Sequence, residues 1–167
     1  MATALERLNS GPDAEARESL RTCLNIPRWV EEMVGGRPYE NRDDVLTAAQ
    51  KAADPFTADE IDLALSRHPR IGERPSGADA ESRMSQSEQS GVDPADSEVV
   101  ERLRAGNQAY EQRFDRVFLI RAAGRDASQI LAQLEQRLQN DDETELQVVA
   151  EQLREIALLR LEGLLDA

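Results

Sequence analysis

Apolar residues spaced three and four apart, with almost no alternating stretches, leave this chain little to fold into except helices. Ile61, Ala64 and Leu65 follow that spacing, as do Val99, Val100, Leu103, Tyr110 and Phe114. Strand formers are scarce: aromatics are 4% of the chain, and β-branched residues are thin outside Val117 to Ile120. Ala, Leu, Glu, Gln and Arg dominate, all good helix formers.

Helix boundaries follow from the breakers and caps. Asp13 to Val34 is a helical region that Pro27 should break or kink and that Gly35-Gly36 stops. Asn41 to Ala53 is a second, ended by Pro55. Thr57-Ala58-Asp59-Glu60 has the spacing of a capping box opening a third. Residues 69–94 hold Pro69, Gly72, Pro75, Gly77, Gly91 and Pro94 among polar residues, with one short helical stretch expected near Ala80 to Gln89. A functional loop fits this segment better than a linker between two domains, because neither flank is large enough for a good core of its own. Helical patterning returns from about Asp96 to Phe114. Val117-Phe118-Leu119-Ile120 fits either a buried extended segment or a helix start. Asp126 caps a helix carrying Ile130, Leu131, Leu134 and Leu138, Asn140-Asp141-Asp142 breaks it, and a last helix runs to about Leu165. The expected fold is all-α, a single domain over residues 1–167 with about seven to nine helices.

Charge and rare residues exclude several functions. Lys+Arg is 20 against Asp+Glu 33, a net charge of −13, the opposite of the basic face that nucleic acid needs. One cysteine, Cys23, rules out an internal disulfide, and one histidine, His68, leaves too few ligands for a Cys/His zinc site. Apolar runs fall short of the roughly 18 residues a membrane span requires, and no leader-like segment opens the chain, so a soluble cytoplasmic protein is expected.

Polar residues at apolar positions are then the informative ones. His68 lies at Ile61 + 7, on the buried face of its helix and as its last residue, since Pro69 disfavours helix at the position before it. The plain reading is a satisfied core or capping histidine, whose protonated form the helix dipole favours and burial opposes. Arg160 interrupts the stripe of Leu146, Val149, Leu153, Ile156, Ala157 and Leu164, so it must meet a carboxylate, backbone carbonyls or an anionic ligand. Ser85 and Glu88 have capping-box spacing, yet with Gln89 they also form a polar cluster beside the irregular loop. Cys23 reads as a small core hydrophobe.

His68-Pro69-Arg70-Ile71-Gly72-Glu73-Arg74, followed by Ser85-Gln86-Ser87-Glu88-Gln89, resembles the OHCU decarboxylase family, whose substrate is 2-oxo-4-hydroxy-4-carboxy-5-ureidoimidazoline. Trp29-Val30-Met33 with Arg37-Pro38-Tyr39 is similar to the family's amino-terminal portion. Asn107 to Phe114 with Phe118-Leu119-Ile120 and Ala122-Ala123-Gly124-Arg125 resembles its middle, and Arg137 to Asp141 with Glu155 to Leu161 its close. The resemblance implies an all-α homodimer without metal or organic cofactor, acting on a small ureidoimidazoline late in urate degradation. It implies His68 as catalytic acid/base, with Glu88 and Arg160 beside it in the catalytic set. Pro69, Ser85, Glu88, Gln89 and Arg160 would line the substrate, and backbone groups of Phe118, Leu119, Ile120 and Ala122 would hydrogen-bond its ring. The competing expectation is a non-catalytic, acidic helical interaction module, which needs neither His68 nor Arg160 in a buried stripe.

Overall fold

A computed structural model describes residues 1–66, 68, 84, 87–89 and 97–167. Eight helices have their bounds among the described residues: α1 (Ala4–Ser10), α2 (Asp13–Cys23), α3 (Pro27–Gly35), α4 (Arg42–Ala52), α5 (Ala58–Leu65), α6 (Ser97–Phe114), α7 (Ala127–Arg137) and α8 (Asp142–Asp166). The all-α class is as expected. They form two compact units, one of Met1–Ala64 with Arg154–Ala167, the other of Leu65–Leu153. No described helix is long and apolar enough to cross a membrane.

The first unit is built on α2, α3 and α4. Pro27 breaks the long helical region, as its missing N–H requires, and becomes the first residue of α3. Leu20, Cys23, Ile26, Trp29, Met33 and Val45 are buried at its core. The Trp29 indole N–H donates to the Ala49 carbonyl at 3.1 Å, so the largest buried ring also ties α3 to α4. Helix α1, which the sequence reading did not find, is opened by a capping box between Thr3 and Glu6. Its Asn9 exchanges two 2.8 Å hydrogen bonds with the backbone of Tyr39.

Thr57 and Glu60 close the expected capping box at the start of α5, with bonds of 2.9 and 3.1 Å. Arg28 reaches Glu60 from α3 at 2.7 Å. That guanidinium, followed by the Thr57 amide, holds the Glu60 carboxyl below its ordinary 4.5. A carboxyl depressed on folding stabilises the protein above its unfolded pKa, and that contribution is lost as pH falls through the folded value. Urea midpoints of wild type and Glu60→Gln are therefore expected to differ at pH 7 and to converge as the pH drops below 4.5. A gap independent of pH would remove the charge from this account.

The second unit packs α6 on α7, with Leu103, Tyr110, Phe114, Phe118, Ile120, Ile130 and Leu134 in its core. Gly106 permits the approach: a Cβ there would come within 2.5 Å of Leu134 Cδ2. Val117 to Ile120 is not helical, and Phe118, Leu119 and Ile120 are all buried. Asp126 and Gln129 form a capping box at the start of α7. Most of the irregular 69–94 stretch lies outside the described residues; Met84, Ser87 and Glu88 within it are helical.

Candidate functional site

The lone histidine stands at the end of α5, though not inside it. The helix stops at Leu65, and the His68 amide closes a turn onto the Leu65 carbonyl at 3.0 Å. Its side chain is half-buried rather than core. The following proline accounts for the difference, because it pushes the residue before it out of the helical region and the last turn unwinds early. His68 is thus carried by irregular backbone directly after a helix whose Ile61 and Ala64 are anchored in the interior.

Glu88 borders an open hollow of about 460 Å³ together with Ser87, Gln129 and the backbone turn from Ala122 to Asp126. Two of the expected substrate-lining residues, Glu88 and Ala122, therefore meet at one site. The turn is set by Gly124, whose φ of 80° lies in the left-handed region, and by the Arg125 amide, which donates to the Ala122 carbonyl at 3.1 Å. A Cβ on Gly124 would meet nothing within 4 Å, so conformation, not space, is what requires glycine here. Arg125 borders the hollow, and its buried Nε has no hydrogen-bond partner among the described residues. A strongly acidic chain thus places a cationic side chain at this opening. Gln89 is half-buried next to Glu88. Pro69 and Ser85 lie outside the described residues.

Phe118, Leu119, Ile120 and Ala122 lead into that turn, and their side chains are buried. Their backbone is held by residues the sequence reading did not single out for the site. Arg137 Nη1 donates to the Leu119 carbonyl at 2.8 Å, and the Arg121 amide donates to Gln152 Oε1 at 2.9 Å. Arg137 is itself fixed by Glu145 through Nε at 2.8 Å and Nη2 at 2.5 Å. The Tyr110 hydroxyl and Asn140 Nδ2 donate to the same carboxylate at 2.5 and 3.0 Å. Burial, and then the bond to Glu145, push the Tyr110 hydroxyl well above its ordinary range, so it stays a neutral donor. The guanidinium also lies 4.6 Å from the centre of the Phe118 ring. A signal for Arg137 was available: it stands at Ile130 + 7 and Leu134 + 3, an arginine in an apolar stripe just as Arg160 is.

Arg160 is buried in the unit formed by Met1–Ala64 and Arg154–Ala167, with 5% of its surface exposed. Its Nη1 donates to the Thr22 carbonyl at 3.3 Å, one of the partners that burial of a guanidinium demands. His68 and Glu88 belong to the other unit, Leu65–Leu153.

The OHCU decarboxylase family model matches residues 9–162. The 2-oxo-4-hydroxy-4-carboxy-5-ureidoimidazoline decarboxylase of Haloferax volcanii is 27% identical over 159 residues, covering 94% of this chain and 93% of that protein. A uric acid degradation bifunctional protein, PucL of Bacillus subtilis, is also 27% identical, over 161 residues, but the chain spans only 32% of it. Among solved structures, an OHCU decarboxylase crystallised in the presence of (S)-allantoin superposes with a TM-score of 0.74 at 21% identity, over 94% of this chain and 100% of that one. An (S)-allantoin synthase follows at 0.72 and 21%, covering 99% of this chain and 55% of that one. Those two likenesses concern the fold; the match from residue 9 to residue 162 concerns the sequence, and by it the chain belongs to the OHCU decarboxylase family.

Proposed function

We propose that the protein decarboxylates 2-oxo-4-hydroxy-4-carboxy-5-ureidoimidazoline to (S)-allantoin in urate degradation. The observation that carries this is the family match over residues 9–162, joined to a Haloferax relative of similar length and named activity. An uninterrupted match of that extent also favours reading residues 1–167 as one decarboxylase-like domain, and leaves the acidic interaction module without a supporting observation.

The chemistry suits a helical protein that supplies only side chains and backbone. The carbon that loses CO₂ adjoins a ring C=N bond. As the carbon–carboxylate bond breaks, its electron pair forms a new C=C bond, and the C=N pair moves to nitrogen, which takes a proton. Protonation of the ureido-bearing carbon, with loss of the hydroxyl proton as the ring carbonyl forms, then gives allantoin. The substrate is its own electron sink, so the protein's task is to bind the anion and deliver a proton to one face. In this reading His68 is the acid/base and Glu88 orients it or holds a ureido N–H. Arg160 offers a fixed positive group to the carboxylate or ring oxygens. Pro69, Ser85 and Gln89 complete the wall, and backbone groups of the Phe118–Ala122 segment meet the ring. A cytoplasmic homodimer belongs to the same proposal.

The direct test generates the unstable intermediate in situ from urate and follows chiral allantoin by circular dichroism. Rapid formation of the (S) enantiomer is the expected result. Racemic product at the spontaneous rate would refute the assignment.

A further inference from the structure

We propose that Arg137 and Gln152 are positioning residues that present the Phe118–Ala122 backbone to the substrate. This rests on the decarboxylase reading and goes beyond it to how the substrate-facing edge is set. The side chains of Phe118, Leu119, Ile120 and Ala122 are apolar and buried, so any polar recognition they perform must come from their amides and carbonyls. A backbone without helical or sheet bonds of its own recognises a planar ring well only if something else fixes it.

Two hydrogen bonds do this, and they fall on alternate residues. Arg137 Nη1 holds the Leu119 carbonyl at 2.8 Å, and Gln152 Oε1 holds the Arg121 amide at 2.9 Å. The two holds thus bracket Ile120 in the chain, one at the Leu119 carbonyl before it and one at the Arg121 amide after it. At its far end the segment is closed by the Arg125 amide on the Ala122 carbonyl, directly at the hollow that Glu88 borders. The Arg137 hold is rigid, because Glu145 occupies its Nε and Nη2 and is itself bound by Tyr110 and Asn140. Gln152 is half-buried on α8 and its hold is the more separable of the two.

Arg137 variants risk the fold, so Gln152 carries the test. Gln152→Met keeps the side-chain length and removes the acceptor; Gln152→Glu keeps an acceptor oxygen at the same reach. Three readouts are compared with wild type: kcat and KM for the ureidoimidazoline, the inhibition constant of (S)-allantoin, and the thermal midpoint. Gln152→Met is expected to raise KM and the allantoin inhibition constant together by about tenfold, the scale of one lost hydrogen bond, with a smaller change in kcat. Gln152→Glu is expected to return both constants to within about twofold of wild type. If Gln152→Met leaves both constants unchanged, the proposal is overturned, whether or not the midpoint falls. A wild-type protein that makes no allantoin above the spontaneous rate overturns the activity itself and this proposal with it, so the two failures are distinguishable.

Discussion

His68→Ala is expected to abolish enantioselective allantoin formation while unfolding at nearly the wild-type urea midpoint. Removing a positioned general acid/base lowers rates by about 10²–10⁴-fold, and this side chain is the chain's only imidazole. Truncation at a half-buried residue beyond the end of a helix empties no site in the core, so the stability change should be small beside the loss of rate. The two readouts together separate a catalytic role from a capping one. A capping histidine would shift the midpoint and spare the rate. Full activity in this variant would refute the mechanism proposed here, though not membership of the family.

The largest effect on stability is expected at the buried pair of Arg137 and Glu145. Both side chains are almost wholly buried, at 4% and 3% exposure. Deleting one member of such a pair leaves the other charge buried and uncompensated, which costs about 3–5 kcal/mol. That is a large part of the roughly 5–15 kcal/mol a domain has in total. Arg137→Met and Glu145→Gln should each lower the urea midpoint strongly. The double variant should be less damaging than the sum of the two, because no orphaned charge remains. Strict additivity of the two losses would mean that the pair is not coupled.

Much of the helical layout was legible because local chemistry and periodicity agreed. Asn41, Thr57 and Asp126 cap helices as their side chains predict, and Pro27 starts one. Arg160, read as a cation inside an apolar stripe, is buried as that pattern requires. Helix α1 was missed although Thr3 and Glu6 carry the capping-box spacing, because seven residues give too little periodicity to stand out. The path of Val117 to Ile120 was undecidable for a related reason: four apolar residues in a row fit any conformation buried on all sides. What holds that run was hidden in distant sequence, in Arg137 from the end of α7 and Gln152 from α8. The apolar stripe around Arg137 signals that it needs a partner, but an arginine in the last turn of a helix also suits the dipole, so the partner's identity as Glu145 is not legible locally. Of the residues that the resemblance implies for the site, Glu88 and Ala122 border one hollow, while Arg160 lies in the other unit. Nothing in the residues around Arg125 showed that it also borders that opening.

The ion pair also constrains chain length. The turn between α7 and α8 is only four residues long, and connections between helices ordinarily accept inserted residues without harm. Here Arg137 and Glu145 stand on either side of it and must meet within hydrogen-bond distance, while Asn140 from the turn binds the same carboxylate. One residue more or less would rotate α8 by about 100° relative to that meeting point. Insertions should therefore be tolerated in other loops of this protein before they are tolerated in this one.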